Sequence, residues 1–168
     1  MAGRRRRARF TSSERAGLDM RRADQDRTLD AIHHLEAALG SAAPGREGSW
    51  LRDVLDALEL LDEAMNEEQR NAEAVDSLLS DIARTQPRLR TRVRGLRAQY
   101  RHVRDTIEQL RGELAGRPSE ASADFADVRQ RLAWLLTALR HQRSRESDLI
   151  YEAYYDAFNT DIEAENAR

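Results

Sequence analysis

Between residues 89 and 114 the apolar side chains fall at Leu89, Val93, Leu96, Tyr100, Val103, Ile107, Leu110 and Leu114. The spacing alternates between four and three without a break, which is one stripe along a single α-helix of about seven turns. A helix of that length with one apolar stripe has to lie against other helices that carry matching stripes. Tyr100 places a hydroxyl midway along the stripe, so whatever faces it has to offer hydrogen-bonding partners.

Three further segments have the same character. The first helix is predicted from Thr11, whose spacing to Glu14 matches a capping box, to Leu39, with Gly40 as its C-cap. The second is predicted to begin after Ser49 as N-cap, with the stripe Leu51, Val54, Leu58, Leu61, Met65, Glu68, Ala72, Val75, Leu79 and Ile82. Glu68 is a charged intruder in it, and residues 71–75 form a weak patch where a bend is expected. Pro87 ends this helix and opens the third, which closes near Ala115 at Gly116 and Pro118. The fourth is predicted from between Ser122 and Asp124 to about Asn159. Its apolar face is Phe125, Val128, Leu132, Leu135, Leu136, Leu139, Ile150, Ala153, Tyr154 and Ala157. Nothing reads as a strand. Four long helices with short connections predict an all-α, up-down-up-down four-helix bundle over residues 11–162, preceded by a basic arm (residues 1–10) and followed by a tail (residues 163–168).

Composition removes several function classes. The 168 residues suit one domain and contain no Cys, which excludes disulfides, thiolate chemistry and Cys-ligated zinc. Every basic residue is Arg, so a Schiff-base or P-loop lysine is excluded. No apolar run reaches the roughly 18 residues of a membrane span, and no apolar segment follows the basic start, so a membrane role and a secretory signal are not expected and a cytoplasmic location is. A net charge of -2 argues against a whole-surface nucleic-acid platform. It leaves Arg4, Arg5, Arg6 and Arg7 as an arm that can touch phosphates or simply solubilise the chain. No GxSxG, P-loop, HExxH or dinucleotide fingerprint is present, and Ser12, Ser13 and Ser144 have no His–carboxylate arrangement beside them. No catalytic residue is therefore singled out.

Counting outward from each loop places polar residues of all four helices at one depth. Glu68 falls level with Arg21 and its neighbours Asp24 and Gln25 on the first helix, with Tyr100 on the third, and with Gln142, Arg143 and Glu146 on the fourth, where the apolar face lapses between Leu139 and Ile150. Arg21, Gln25 and Thr28 share the side of the first helix that carries Ile32. Unpaired buried charge costs several kcal/mol, so such a layer has to be satisfied internally, most simply by Glu68 or Glu146 with Arg21 or Arg143, together with Tyr100 and Gln142. A dinuclear metal site in a bundle needs imidazoles and carboxylates converging from facing helices. At about 100° per residue, His34, His102 and His141 fall on the far side of their helices and His33 at the margin, so all four histidines are expected at the surface. No metal is expected; if one were bound, its donors would be Glu68, Tyr100 and Glu146.

The segments Gln86-Pro87-Arg88-Leu89, Leu96-Arg97-Ala98-Gln99-Tyr100 and Thr106-Ile107-Glu108-Gln109-Leu110 resemble the third helix of hemerythrin-like (HHE) domains. The runs Arg145-Glu146-Ser147-Asp148-Leu149-Ile150-Tyr151-Glu152-Ala153-Tyr154 and Asn159-Thr160-Asp161-Ile162 are similar to that family's last helix. The resemblance implies a four-helix bundle around a non-haem, usually dinuclear, iron centre. The family's ligands are a His on the first helix, His-x-x-x-Glu on the second, a His pair on the third, and a His with a carboxylate on the fourth. Here the third-helix His position is Tyr100 and the second-helix position Glu68. The fourth-helix His falls at Gln142 or, shifted by one, at His141. Only Glu146 keeps an expected ligand type, and the first helix offers Asp24 or Gln25. The resemblance therefore implies a bundle whose iron site has been rebuilt.

Three functional expectations follow. The leading one is a binding, regulatory or structural protein without the diiron centre, with Tyr151, Tyr154, Tyr155 and Phe158 available for a protein partner or self-association. The second is an iron-binding oxygen or redox domain with atypical carboxylate and Tyr ligation. The third is a nucleic-acid-associated protein using the Arg arm.

Overall fold

The computed structural model describes residues 9–41, 43, 45–116 and 125–167. The Arg4, Arg5, Arg6, Arg7 arm and the expected helix start at Ser122–Asp124 lie outside these. Among the described residues there are six α-helices and no strand: α1 (Ser12–Gly40), α2 (Glu47–Glu73), α3 (Leu78–Thr85), α4 (Arg90–Ala115), α5 (Phe125–Ala153) and α6 (Tyr155–Asn166), with a 3₁₀ turn at Pro87–Leu89. They form a helical bundle. α1 packs along α2, α2 along α4 and α4 along α5, while α5 also touches α1 and α3.

Local chemistry explains most helix ends. Thr11 is the N-cap of α1: its side chain accepts from the Glu14 N–H at 3.1 Å, and the Glu14 carboxylate accepts from the Thr11 N–H at 2.8 Å, a complete capping box. α1 ends one residue later than expected, with Ser41 as C-cap. α2 starts at Glu47, three residues before the expected first residue, Trp50. The turn into it runs through Gly45 at φ +77, a left-handed backbone that glycine adopts freely, and the Gly45 N–H donates to the Glu47 side chain at 3.0 Å.

That earlier start carries the helix back past Trp50, which lies four residues before Val54 and so on the same stripe. Trp50, not Leu51, is the fully buried residue of the first turns. Its indole N–H donates to the Ala38 carbonyl at the end of α1 (2.9 Å), its ring meets Phe125 edge-on at 5.0 Å, and the Arg129 guanidinium covers it at 4.8 Å. Arg129 itself donates to the Leu39 and Ser41 carbonyls. One tryptophan thus ties together the end of α1, the start of α2 and the start of α5.

Two expected single helices are each broken. The second ends at Glu73 and resumes at Leu78, so Val75 sits in the gap, 86% exposed, rather than in the core stripe. Ser77 caps α3 by accepting from the Ser80 N–H and donates to the Ala72 carbonyl (2.9 Å), while Ser80 donates to the Ala74 carbonyl (2.6 Å). Arg97 from α4 holds the gap by donating to the Ala72 carbonyl and to Ser80. These partners supply what the helix would otherwise have supplied. The fourth helix breaks at Tyr154, because the Ala153 carbonyl is taken by the Gln86 side chain at 2.7 Å, while the Tyr154 hydroxyl donates to Asp81 at 2.7 Å. α6 then runs to Asn166, through most of the segment expected to be tail. Tyr151 and Tyr155 are exposed, whereas Tyr154 and Phe158 are half-buried and close around Phe10.

Candidate functional site

α1 buries Leu18, Arg21, Asp24, Thr28, Ala31, Ile32, Leu35 and Ala38, spaced by threes and fours with one adjacent pair. Three of these are polar and consecutive along the stripe. Opposite them stand Glu68 from α2, Tyr100 from α4, and Gln142 and Glu146 from α5. Glu146 and Tyr100 are completely buried, and Asp24, Thr28, Glu68 and Gln142 are within 2% of it. The inward residue on the next turn of α1 after Arg21 and Asp24 is Thr28, not Gln25. Gln25 and Arg143 lie half-buried at the margin and join each other, Arg143 donating to the Gln25 carbonyl at 2.8 Å. His33, His34, His102 and His141 are all exposed.

Arg21 is the hub of the layer. Its Nη2 pairs with Glu146 Oε2, and its Nη1 lies 2.8 Å from Glu68 Oε1, an ion pair without hydrogen-bond geometry. The Thr28 hydroxyl donates to Glu68 Oε2. The Tyr100 hydroxyl oxygen lies 2.7 Å from both Glu68 Oε1 and Glu146 Oε2. A phenol has a single proton, so both contacts are hydrogen bonds at once only when one carboxyl is protonated and donates to the phenol oxygen. Asp24 extends the layer outward, accepting from Asn71 at 2.9 and 3.1 Å and pairing with the exposed Arg27 at 3.3 Å.

The acidities follow from burial and from this geometry. Burial is the main cause raising Glu146, with the nearby Glu68 adding to it and Arg21 opposing it. Burial likewise raises Asp24 against its bond from Asn71. Tyr100 is held well above the ordinary phenol value, first by burial and then by Glu146, so it stays protonated. For Arg21, burial alone would lower the pKa, but Glu146, Tyr100 and Glu68 together reverse that and keep it charged.

Two measurable consequences arise from this arrangement. Tyr100→Phe leaves the ring in place but strips both carboxylates of a buried partner, and is expected to cost about 1–3 kcal/mol in urea unfolding. The second concerns pH. Glu146 and Asp24 bind protons more tightly in the folded chain than at their ordinary values of 4.5 and 3.8. Their stabilising contribution is full below those values and is lost as pH rises through the folded values. Stability attributable to Glu146 is therefore expected to fall as pH rises from about 4.5. Comparing urea midpoints of the parent chain and Glu146→Gln from acid to neutral pH checks this: the difference should move in favour of the variant as pH rises, and a constant difference would contradict it.

Among the described residues no group of three or more His, Cys, Asp or Glu side chains is placed to hold a metal ion. A dinuclear iron centre is not a fit for the inward residues present. They offer three carboxylates and a phenol with no imidazole, and a guanidinium stands between Glu68 and Glu146, where a metal would supply the positive charge. Beside the layer a cavity of about 180 Å³ opens between α1, the end of α2 and α3, with Arg21, Asp24, Glu68 and Glu146 in its wall. A larger groove of about 490 Å³ runs outside α1 and α2 past His34 and contains none of the layer's residues.

Helical phase places Arg21, Glu68, Tyr100, Gln142 and Glu146 inside, where they are buried, but also Gln25 and Arg143, which are only half-buried. Asn71 and the cavity carry no such periodic signal, and the cavity opens beside the end of α2 at Glu73. Asp76-Ser77 followed by Asp81 is a helix-start signal that could have located that break. No described helix is long and apolar enough to cross a membrane. No protein-family model, curated protein or solved structure matches the chain.

Proposed function

We propose that this chain is a hemerythrin-like bundle of four long helices running up-down-up-down, the second divided into α2 and α3 and the fourth into α5 and α6. In this reading an ion-pair layer replaces the diiron centre, and the chain serves as a cytoplasmic binding, regulatory or structural domain rather than as an enzyme. The observation that supports it is Arg21. A buried guanidinium paired to both Glu68 and Glu146 supplies in covalent form the positive charge that two inward carboxylates require. The four exposed histidines agree with it. Tyr151 and Tyr155, exposed side by side with rings 5.5 Å apart, are the surface offered to a protein partner or to a second copy of the chain.

The test is elemental analysis of the protein purified from iron-replete cells. Iron far below one per chain is expected, and about two irons per chain would overturn the reading. A second reading keeps iron on Glu68, Tyr100 and Glu146, favoured by the contact of the Tyr100 hydroxyl with both carboxylates. It requires a visible phenolate-to-iron band that disappears in Tyr100→Phe. The nucleic-acid reading of Arg4, Arg5, Arg6 and Arg7 requires binding that falls steeply with salt and is lost when residues 1–8 are removed.

A further inference from the structure

Phe10 seats the N-terminal end of the chain on α6. Its ring meets Phe158 edge-on at 4.9 Å and Tyr154 at 5.6 Å; Phe158 carries the contact on to Tyr151 at 5.7 Å, and Tyr151 to Tyr155 at 5.5 Å. At about 100° per residue, Tyr155, Phe158, Ile162 and Glu165 fall within about 80° of one another on α6, so one strip of the helix joins aromatic and acidic side chains. Tyr151, Tyr155 and Ile162 are each 45–50% exposed. α6 holds Asp156, Asp161, Glu163 and Glu165 and no basic residue, whereas residues 1–10 hold five Arg and no acid. Arg15 shows how an arginine uses this surface: its guanidinium lies 5.5 Å from the centre of the Phe10 ring and pairs with Asp161 at 3.0 Å. Glu152, the acid next to Tyr151, is held by Arg88 and Arg92, while the exposed Glu163 and Glu165 extend the acidic side of α6 beyond Asp161.

We propose that the Arg4, Arg5, Arg6, Arg7 arm of the same chain docks on this face, its guanidiniums stacking on Tyr151 and Tyr155 and pairing with Glu163 and Glu165. Reach, charge and chemistry all favour the arm as occupant. It enters at Phe10, and at about 3.3–3.6 Å per residue Arg7 to Arg4 extend about 10–20 Å from there, far enough to pass Phe158 and meet both tyrosines. Arm and helix carry opposite charge, and a guanidinium over a tyrosine ring with a carboxylate at its edge uses both features of the strip. The proposal rests on reading Tyr151 and Tyr155 as a binding surface and names what covers it in the isolated chain. Docking hides the tyrosines offered to a partner together with the arginines offered to phosphate, so a protein partner or a polyanion has to displace the arm.

The chain has no Cys, so Gly3→Cys places a single nitroxide label on the arm of the full-length ¹⁵N-labelled protein. At low salt the label is expected to broaden away the amide signals of residues 151–165. At about 1 M salt, where the Debye length is about 3 Å, most of that signal is expected to return. Glu163→Gln combined with Glu165→Gln, and separately Tyr151→Ala combined with Tyr155→Ala, change only exposed side chains and are each expected to return it at low salt. A label merely tethered near Phe10 would broaden these amides equally at both salt concentrations and in both double variants, and that result overturns the proposal. Absence of broadening at low salt overturns it as well. A mixture of labelled ¹⁴N chain and unlabelled ¹⁵N chain is expected to show no broadening. Broadening in the mixture would give the face to a second copy, which rejects the arm but keeps the tyrosines as a binding surface. Iron content reads the layer separately, so a failed docking experiment with iron-free protein rejects the arm alone.

Discussion

Arg21→Met should destabilise the chain by about 3–5 kcal/mol at neutral pH, the range for breaking a buried ion pair by removing one partner. The side chain is 8% exposed and holds both Glu68 and Glu146, themselves 3% and 1% exposed. Methionine fills most of the space, so packing contributes little to the loss. The cost comes from two carboxylates left without a counter-charge where water does not reach. Acidification is expected to return part of the loss in this variant, because protonating Glu146 removes the charge that is stranded. The combined replacement Arg21→Met, Glu68→Leu and Glu146→Leu should be much less harmful than Arg21→Met alone, near neutral in stability or better, since hydrophobic substitutes of similar volume usually outperform a buried ion cluster. Urea unfolding of the single and combined variants checks both expectations. A combined variant as unstable as the single one would mean that the layer does more than neutralise itself.

Trp50→Ala is expected to cost about 3–5 kcal/mol, the range for truncating a large buried aromatic. Trp50 is completely buried and does three things at once. Its ring fills the end of the core, its N–H satisfies the Ala38 carbonyl, and its face carries the Arg129 guanidinium. Trp50→Phe separates these contributions. It keeps most of the packing and loses the bond to Ala38, with an expected cost of about 1–2 kcal/mol in thermal or urea unfolding. If Trp50→Phe proved as damaging as Trp50→Ala, the hydrogen bond and not the packing would be what joins α1, α2 and α5 at this end.

The parts of this molecule that obey one local rule are readable from its residues. α4 is a single uninterrupted stripe, and Val93, Leu96, Tyr100, Val103, Ile107, Leu110 and Leu114 are all buried as its period requires. Thr11 and Glu14 form the capping box that their spacing implies. Glu68 and Tyr100 stand out as polar members of apolar stripes, which is why a buried layer can be inferred before any coordinates. What escapes is decided between elements. Trp50, not the half-buried Leu51, fills this end of the core, because its indole N–H reaches the Ala38 carbonyl of α1 and its ring meets Phe125 of α5. The break after Glu73 is held by Arg97 from α4, and the break at Tyr154 by Gln86 and Asp81. Those partners are between 17 and 73 residues away in sequence, so only the helix-start signal at Asp76-Ser77 marks either break locally. Gln25, expected on the inward side with Arg21 and Thr28, ends at the margin because at about 100° per residue it lies about 60° from Thr28, while Asp24, about 40° away, takes the inward position.

Arg21 is the cation of the buried layer shared by α1, α2, α4 and α5. A double-mutant cycle between Arg21→Met and Glu146→Leu, read by urea unfolding at neutral pH, tests it most directly. A coupling energy of about 1.5–3 kcal/mol is expected for two buried, oppositely charged groups in contact. Additive effects within about 0.5 kcal/mol, the behaviour of independent sites, would contradict the claim.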